Sequence, residues 1–228
     1  MEDGARRARF RAILHPLFSI FVPLSSMLVF AVAGCSVLGI AAYKIAGPPA
    51  VPAQYVPART PMLILVENFQ YQTSAAAPSD VLARYIAADL QKHNVAPLIP
   101  LEKLQAMRDA GAPEYTKMSI TAIGRELGAA QILYVQLHSS DVTPLSGGEA
   151  LHGQAAASVK VVDVATGQNL WPTDIAGGHV VAAKAQASSS RQATPADVHQ
   201  QLTIKLTEQI SRLFYKWKPD DMAPQSEE

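Results

Sequence analysis

Leu63, Ile64, Leu65 and Val66 form a short apolar run bounded by Pro61 and by the polar pair Glu67-Asn68. That pattern predicts a strand buried on both faces. After the polar stretch "QYQTSAAA", Pro78-Ser79-Asp80 opens a helix with Ser79 as the expected N-cap. Its apolar stripe is Leu82, Ile86 and Leu90, with Tyr85 beside it. "NVAPLIP" predicts a second short strand over Val95–Ile99. A second helix starts at Pro100 or Leu101, turns Leu101, Leu104 and Met107 inward, and breaks at "DAGAPEY". A third spans Ser119–Leu127 and ends on Gly128, the residue type that tolerates the left-handed C′ position.

From Gln131 onward the period falls to two. Leu133, Val135 and Leu137 share one face of a strand. A second strand places Ala155, Ala157, Val159 and Val161 on one side, with Gln154, Ser158 and Lys160 on the other. "DVATGQNLW" is a hairpin bend at Thr166-Gly167. A third strand sets Val181, Ala183 and Ala185 against Lys184 and Gln186. Thr194-Pro195-Ala196-Asp197 is an N-cap, a proline at N1 and a first-turn acid. The helix it opens carries Val198, Leu202, Leu206, Ile210, Leu213 and Trp217 at helical spacing. The order β-α-β-α-α-β-β-β-α implies an α/β (α+β) fold. It predicts a single mixed sheet of about five strands, parallel early and antiparallel late, with helices on one or both faces.

Ahead of this domain the pattern is different. Arg6, Arg7, Arg9 and Arg11 precede an uncharged apolar run from Ala12 to Gly34, and the run ends Val32-Ala33-Gly34-Cys35. A basic start, an apolar core and small residues at the end make a signal-peptide layout. Val32, Ala33, Gly34 and Cys35 resemble the lipobox of bacterial lipoproteins. That resemblance implies cleavage before Cys35 and lipidation of its thiol. The alternative is an uncleaved anchor from Ser19 to Tyr43, stopped by Lys44. Both export the carboxy-terminal domain. Ser36 follows the cysteine where some inner-membrane lipoproteins carry aspartate, which favours the outer membrane.

The expected organisation is a lipoprotein signal peptide over 1–34, a lipidated cysteine and proline-rich tether over 35–61, a mixed α/β periplasmic domain over 62–218, and a solvated tail over 219–228. Pro48, Pro49, Pro52, Pro57 and Pro61 favour extended chain in the tether. If free, about 15 such residues would span roughly 45 Å. Packing of part of it along the domain through Tyr55 is the other outcome. From Cys35 onward 15 of the 19 basic and 17 of the 19 acidic residues remain, so no basic stripe supports nucleic-acid binding. The lone cysteine rules out an internal disulfide.

"ITAIGRELGAAQILYVQL" followed by "GQAAASVKVVDVATGQNLW" resembles the periplasmic domains of the group that includes the curli secretion channel, the penicillin-binding-protein activator and the amino-terminal domain of TolB. The matching positions are Leu127-Gly128-Ala129, Val162-Asp163, Thr166-Gly167 and Trp171. The resemblance covers about residues 62 to 217 and implies a small envelope lipoprotein. It lacks the long insertion that would build a transmembrane barrel.

No GxSxG, HExxH, GxGxxG or P-loop motif is present. His138, His152 and His179, with Asp141, could meet at a metal only if the strands brought them together, and their spacing fits no ligand pattern. Glu67, Asp141 and Glu149 form no carboxylate pair by spacing. No metal or cofactor is expected. The expected function is a non-catalytic interaction or assembly-accessory domain that meets an envelope protein. An anchored enzyme acting on glycan or peptide is the alternative. The expected contact surface is Gln70, Tyr71 and Gln72 with Thr143, Gly147, Gly148 and Glu149, where polar, glycine-bearing loops are not needed for the core.

Overall fold

The computed structural model describes residues 49–68, 78–144, 150–188 and 194–219. Pro52–Trp217 forms a compact unit that holds every element below. Its strands are β1 (Met62–Asn68), β2 (Gln131–Pro144), β3 (Ala150–Asp163), β4 (Asn169–Trp171) and β5 (His179–Ser188). Its helices are α1 (Pro78–Lys92), α2 (Leu101–Ala110), α3 (Ala112–Tyr115), α4 (Ile120–Glu126) and α5 (Pro195–Ser211).

The strands form one mixed sheet, as the sequence pattern implies. β1 pairs parallel with β2, and β2 antiparallel with β3. The other edge of β3 is shared. β5 pairs with Ala150 to Val159, and β4 takes Val161 and Val162. The expected strand at Val95–Ile99 is reduced to one parallel bridge, Leu98 with Met62. The Met62 N–H donates to the Pro97 carbonyl at 2.8 Å, and the Ile99 N–H donates to the Met62 carbonyl at 2.9 Å. Pro97 brings no N–H on the side facing β1, which stops the ladder before the bridge, and the chain turns into α2 at Leu101, which stops it after. The short β4 makes up the count of five.

Both faces of the sheet carry helices. On the first, Ile64, Val66, Leu133, Val135, Ala157, Val159 and Ala183 lie under Leu82, Ile86 and Leu90 of α1 and Val198, Leu202, Leu206 and Ile210 of α5. Small residues let α5 lie close. A Cβ built on Gly153 would sit 2.6 Å from Val198 Cγ1 and 2.8 Å from Leu202 Cδ1. On the second face Leu63, Leu65, Ile132, Tyr134 and Val164 meet Leu104 of α2 and Ile123 of α4. Each fully buried leucine or isoleucine contributes about 1.5–3 kcal/mol.

The helix ends follow local chemistry. Ser119 Oγ accepts from the Ala122 N–H at 3.2 Å, and Gly128 has φ +75° just past α4. Thr194 and Asp197 form a reciprocal capping box. Two expectations shift. Pro78 is already helical, so Ser79 lies inside the first turn of α1 and is buried. α5 stops at Ser211, so Trp217 lies beyond it, under the Arg212 guanidinium at 4.6 Å.

Part of the proline-rich tether belongs to the domain. The Gln54 and Tyr55 N–H groups both donate to the Leu213 carbonyl, at 2.8 and 3.0 Å. The Gln131 amide donates to the carbonyls of Ala58 at 2.8 Å and Thr60 at 3.3 Å. The Tyr55 ring stacks on Trp171, which meets Phe214 edge-on. Residues 52–61 therefore run along the sheet end through Tyr55 rather than standing free as a spacer.

Candidate functional site

The second sheet face is only partly covered. α2 and α4 reach Tyr134 and Val164, and past them the β2–β3–β5 surface is open. The open surface carries His138, Asp141, Thr143, Gln154, Ala182, Lys184 and Val180, the last 66 % exposed. A bulge between Leu137 and Ser139 shapes it. Leu137 and Val142 are an odd number of residues apart, yet both reach the first-face core, because the bulged His138 resets the alternation. The same reset turns Ser139, Asp141 and Thr143 to the open side.

His138 Nε2 lies 2.6 Å from Ser158 Oγ. The serine sits mid-ladder, paired with Gln136 on one side and Val180 on the other. Its neighbouring N–H groups belong to the sheet, and among the described residues no third group is bonded to the imidazole. The pair is a cross-strand hydrogen bond that fixes His138. The three histidines do not converge. His179 lies against Trp171 at 5.2 Å on the first face, whereas His138 and His152 belong to the second. Among the described residues no three histidine, cysteine, aspartate or glutamate side chains gather as metal ligands. Glu67 accepts the Tyr134 hydroxyl and lies far along the sheet from Asp141.

A different feature lies at the Leu98 edge. α1, the Asn94–Glu102 segment and Arg59 of the docked tether enclose an open groove of about 640 Å³. Ala87, Ala88, Pro97, Leu98 and Leu101 supply apolar walls; Arg59, Arg84, Gln91, Asn94 and Glu102 supply polar ones. Asp80 lies one turn before Arg84 but pairs with Arg108 instead, at 2.9 Å. Arg108 also donates to the Tyr115 hydroxyl at 3.1 Å. Burial opposes the Arg108 charge, but Tyr115 and Asp80 outweigh it and raise its pKa. Arg59 and Arg84 form no ion pair among the described residues.

The sequence pattern did not single out this groove. The signal was present in part: no acid occurs between Gly47 and Pro61, so Arg59 has no local counter-charge. Of the expected contact residues, Thr143 is exposed on the open face opposite His152. Gln70, Tyr71, Gln72, Gly147, Gly148 and Glu149 lie outside the described residues, as do Val32, Ala33, Gly34 and Cys35. Among the described residues no helix is long and apolar enough to cross a membrane.

No protein-family model matches the chain. No curated protein matches it either. Solved structures do. A lipoprotein, GNA1162, from Neisseria meningitidis is 13 % identical with a TM-score of 0.44, covering 67 % of this chain and 98 % of that one. A PelC dodecamer from Paraburkholderia phytofirmans is 12 % identical with a TM-score of 0.37, covering 74 % and 93 %. The hypothetical protein CT253 from Chlamydia trachomatis is 12 % identical with a TM-score of 0.37, covering 68 % and 96 %.

Proposed function

We propose that the chain is an envelope lipoprotein, cleaved before Cys35 and held by acyl chains in the outer membrane. Its domain faces the periplasm as a non-catalytic interaction or assembly-accessory module. The arginine-rich start and Val32-Ala33-Gly34-Cys35 support the anchor. The phrases shared with the curli, penicillin-binding-protein-activator and TolB group support the accessory role.

The observation that carries this reading is the docked tether. The chain arriving from the anchor side is bonded into the domain through Gln54, Tyr55, Ala58 and Thr60. The docked residues 52–61 shorten the free chain on the anchor side, which suits a binder working in a thin layer. Anchoring raises the effective concentration for a partner in the same envelope.

The test uses full-length protein in intact cells, with a photo-crosslinker at Thr143 and mass spectrometry of the amino terminus. Discrete adducts that vanish with Cys35→Ala, together with an acylated Cys35 as first residue, are expected. An intact unmodified amino terminus overturns the anchor. Turnover of a glycan or peptide by the purified protein overturns the non-catalytic role.

A further inference from the structure

We propose that the groove between α1 and the Asn94–Glu102 segment binds an extended peptide segment bearing carboxylate side chains, with Arg59 and Arg84 as its charge readers. The inference names a partner chemistry for the interaction module and rests on that reading.

Three observations carry it. The first is charge. Two guanidinium groups line one groove, one from the docked tether and one from α1, and neither is matched by a carboxylate of the described residues. Glu102 is the single acid on the lining, so the wall keeps a net positive charge. Guanidinium groups suit planar carboxylates, which they can engage with two parallel N–H donors.

The second is the floor. In the Leu98 bridge, Met62 uses both its N–H and its carbonyl to bond the residues flanking Leu98. Leu98 therefore turns its own N–H and carbonyl away from β1, at the outer edge of the sheet, and it is one of the groove's walls. One donor and one acceptor together match a peptide backbone. A lipid phosphate offers only acceptors, and the Leu98 carbonyl would repel it.

The third is the limit on that pairing. Pro100 brings no N–H to the outer edge, so a docked strand gains little from ladder bonds. Affinity and selectivity then fall to the arginines and to apolar contact with Ala87, Ala88, Leu98 and Leu101. Placing one arginine on the tether also means that the groove is complete only when residues 52–61 are docked.

The test is fluorescence anisotropy with full-length protein in detergent micelles at low salt. The probe is a labelled peptide of roughly eight residues alternating Glu and Val, against the same peptide with Gln for Glu. The Glu peptide should bind about tenfold more tightly, and added salt should erase the difference. Arg59→Ala with Arg84→Ala should abolish the preference without lowering the melting temperature, since both side chains are exposed. Glu102→Gln should tighten binding of the Glu peptide. Equal binding of the two peptides, or full binding by the double arginine variant, overturns the proposal. Arginine-dependent binding of phosphatidylglycerol vesicles without peptide binding also overturns it, assigning the groove to a lipid surface. Crosslinked adducts that survive the double variant would leave the interaction role standing and remove this groove from it.

Discussion

The Tyr134 hydroxyl donates to Glu67 Oε2 at 2.6 Å, tying the first part of β2 to the end of β1. The Lys160 ammonium lies 5.1 Å from the same ring, from the β3 side. Tyr134 is nearly buried, so its hydroxyl gives up water for one strong partner. The bond stands where helix cover ends and the open sheet face begins.

Tyr134→Phe removes that bond and leaves Glu67 without its donor. A loss of about 1–2 kcal/mol is expected at neutral pH, read from urea unfolding. A pH effect follows. Burial and the bond to Glu67 push the Tyr134 phenol well above its ordinary value; burial and the bond to Asp89 do the same for Tyr215. The folded chain therefore holds these protons more tightly than the unfolded chain, whose tyrosines titrate near about 10. The stabilisation is complete below that pH and is lost as pH rises above it. Melting temperatures followed from roughly pH 8 to 11 should fall steeply for the parent and less steeply for Tyr134→Phe with Tyr215→Phe. Parallel curves would refute the assignment.

Gly153→Ala places a methyl group against Val198 and Leu202, at the start of α5. Crowding there should cost about 1–3 kcal/mol. Gly178→Ala should cost more, because φ is +91° and the new Cβ would lie 2.9 Å from the Val159 carbonyl oxygen, a backbone atom of the ladder. Thermal melts of the two variants should rank in that order. The reverse order would mean that α5 cannot move to admit a methyl group.

Thr207→Val should leave stability unchanged or raise it by about 1 kcal/mol. Thr207 is buried on α5, and its Oγ1 has no partner among the described residues. Valine keeps the shape and removes an unsatisfied hydroxyl. A clear drop in melting temperature would show that the hydroxyl is bonded in solution.

Local chemistry was the legible part of this chain. Thr194-Pro195-Ala196-Asp197 contains its own capping box within four consecutive residues, and the box forms. The alternation through Val159, Val161, Val181 and Ala183 likewise fixed which faces turn inward. The Val95–Ile99 segment has the apolar content of a strand yet forms one bridge, because Pro97 lacks the N–H the ladder needs and α2 begins at Leu101. The bulge at His138 was hidden because only Val142, out of phase with Leu137, records it. The groove needed three dimensions. Arg59, Arg84 and Glu102 come from separate stretches of chain, and only folding shows that Asp80 is taken by Arg108.

The bonds from Gln54 and Tyr55 to Leu213 also decide where a mechanical load enters the domain. Tension applied from the amino-terminal side meets these two hydrogen bonds, the Tyr55–Trp171 stack and the Gln131 bonds to Ala58 and Thr60 before it reaches β1. They are few and local, so they can peel one after another while the β1–β2 ladder stays unloaded. Once they part, residues 52–61 add length on the amino-terminal side of β1 before the ladder itself takes load.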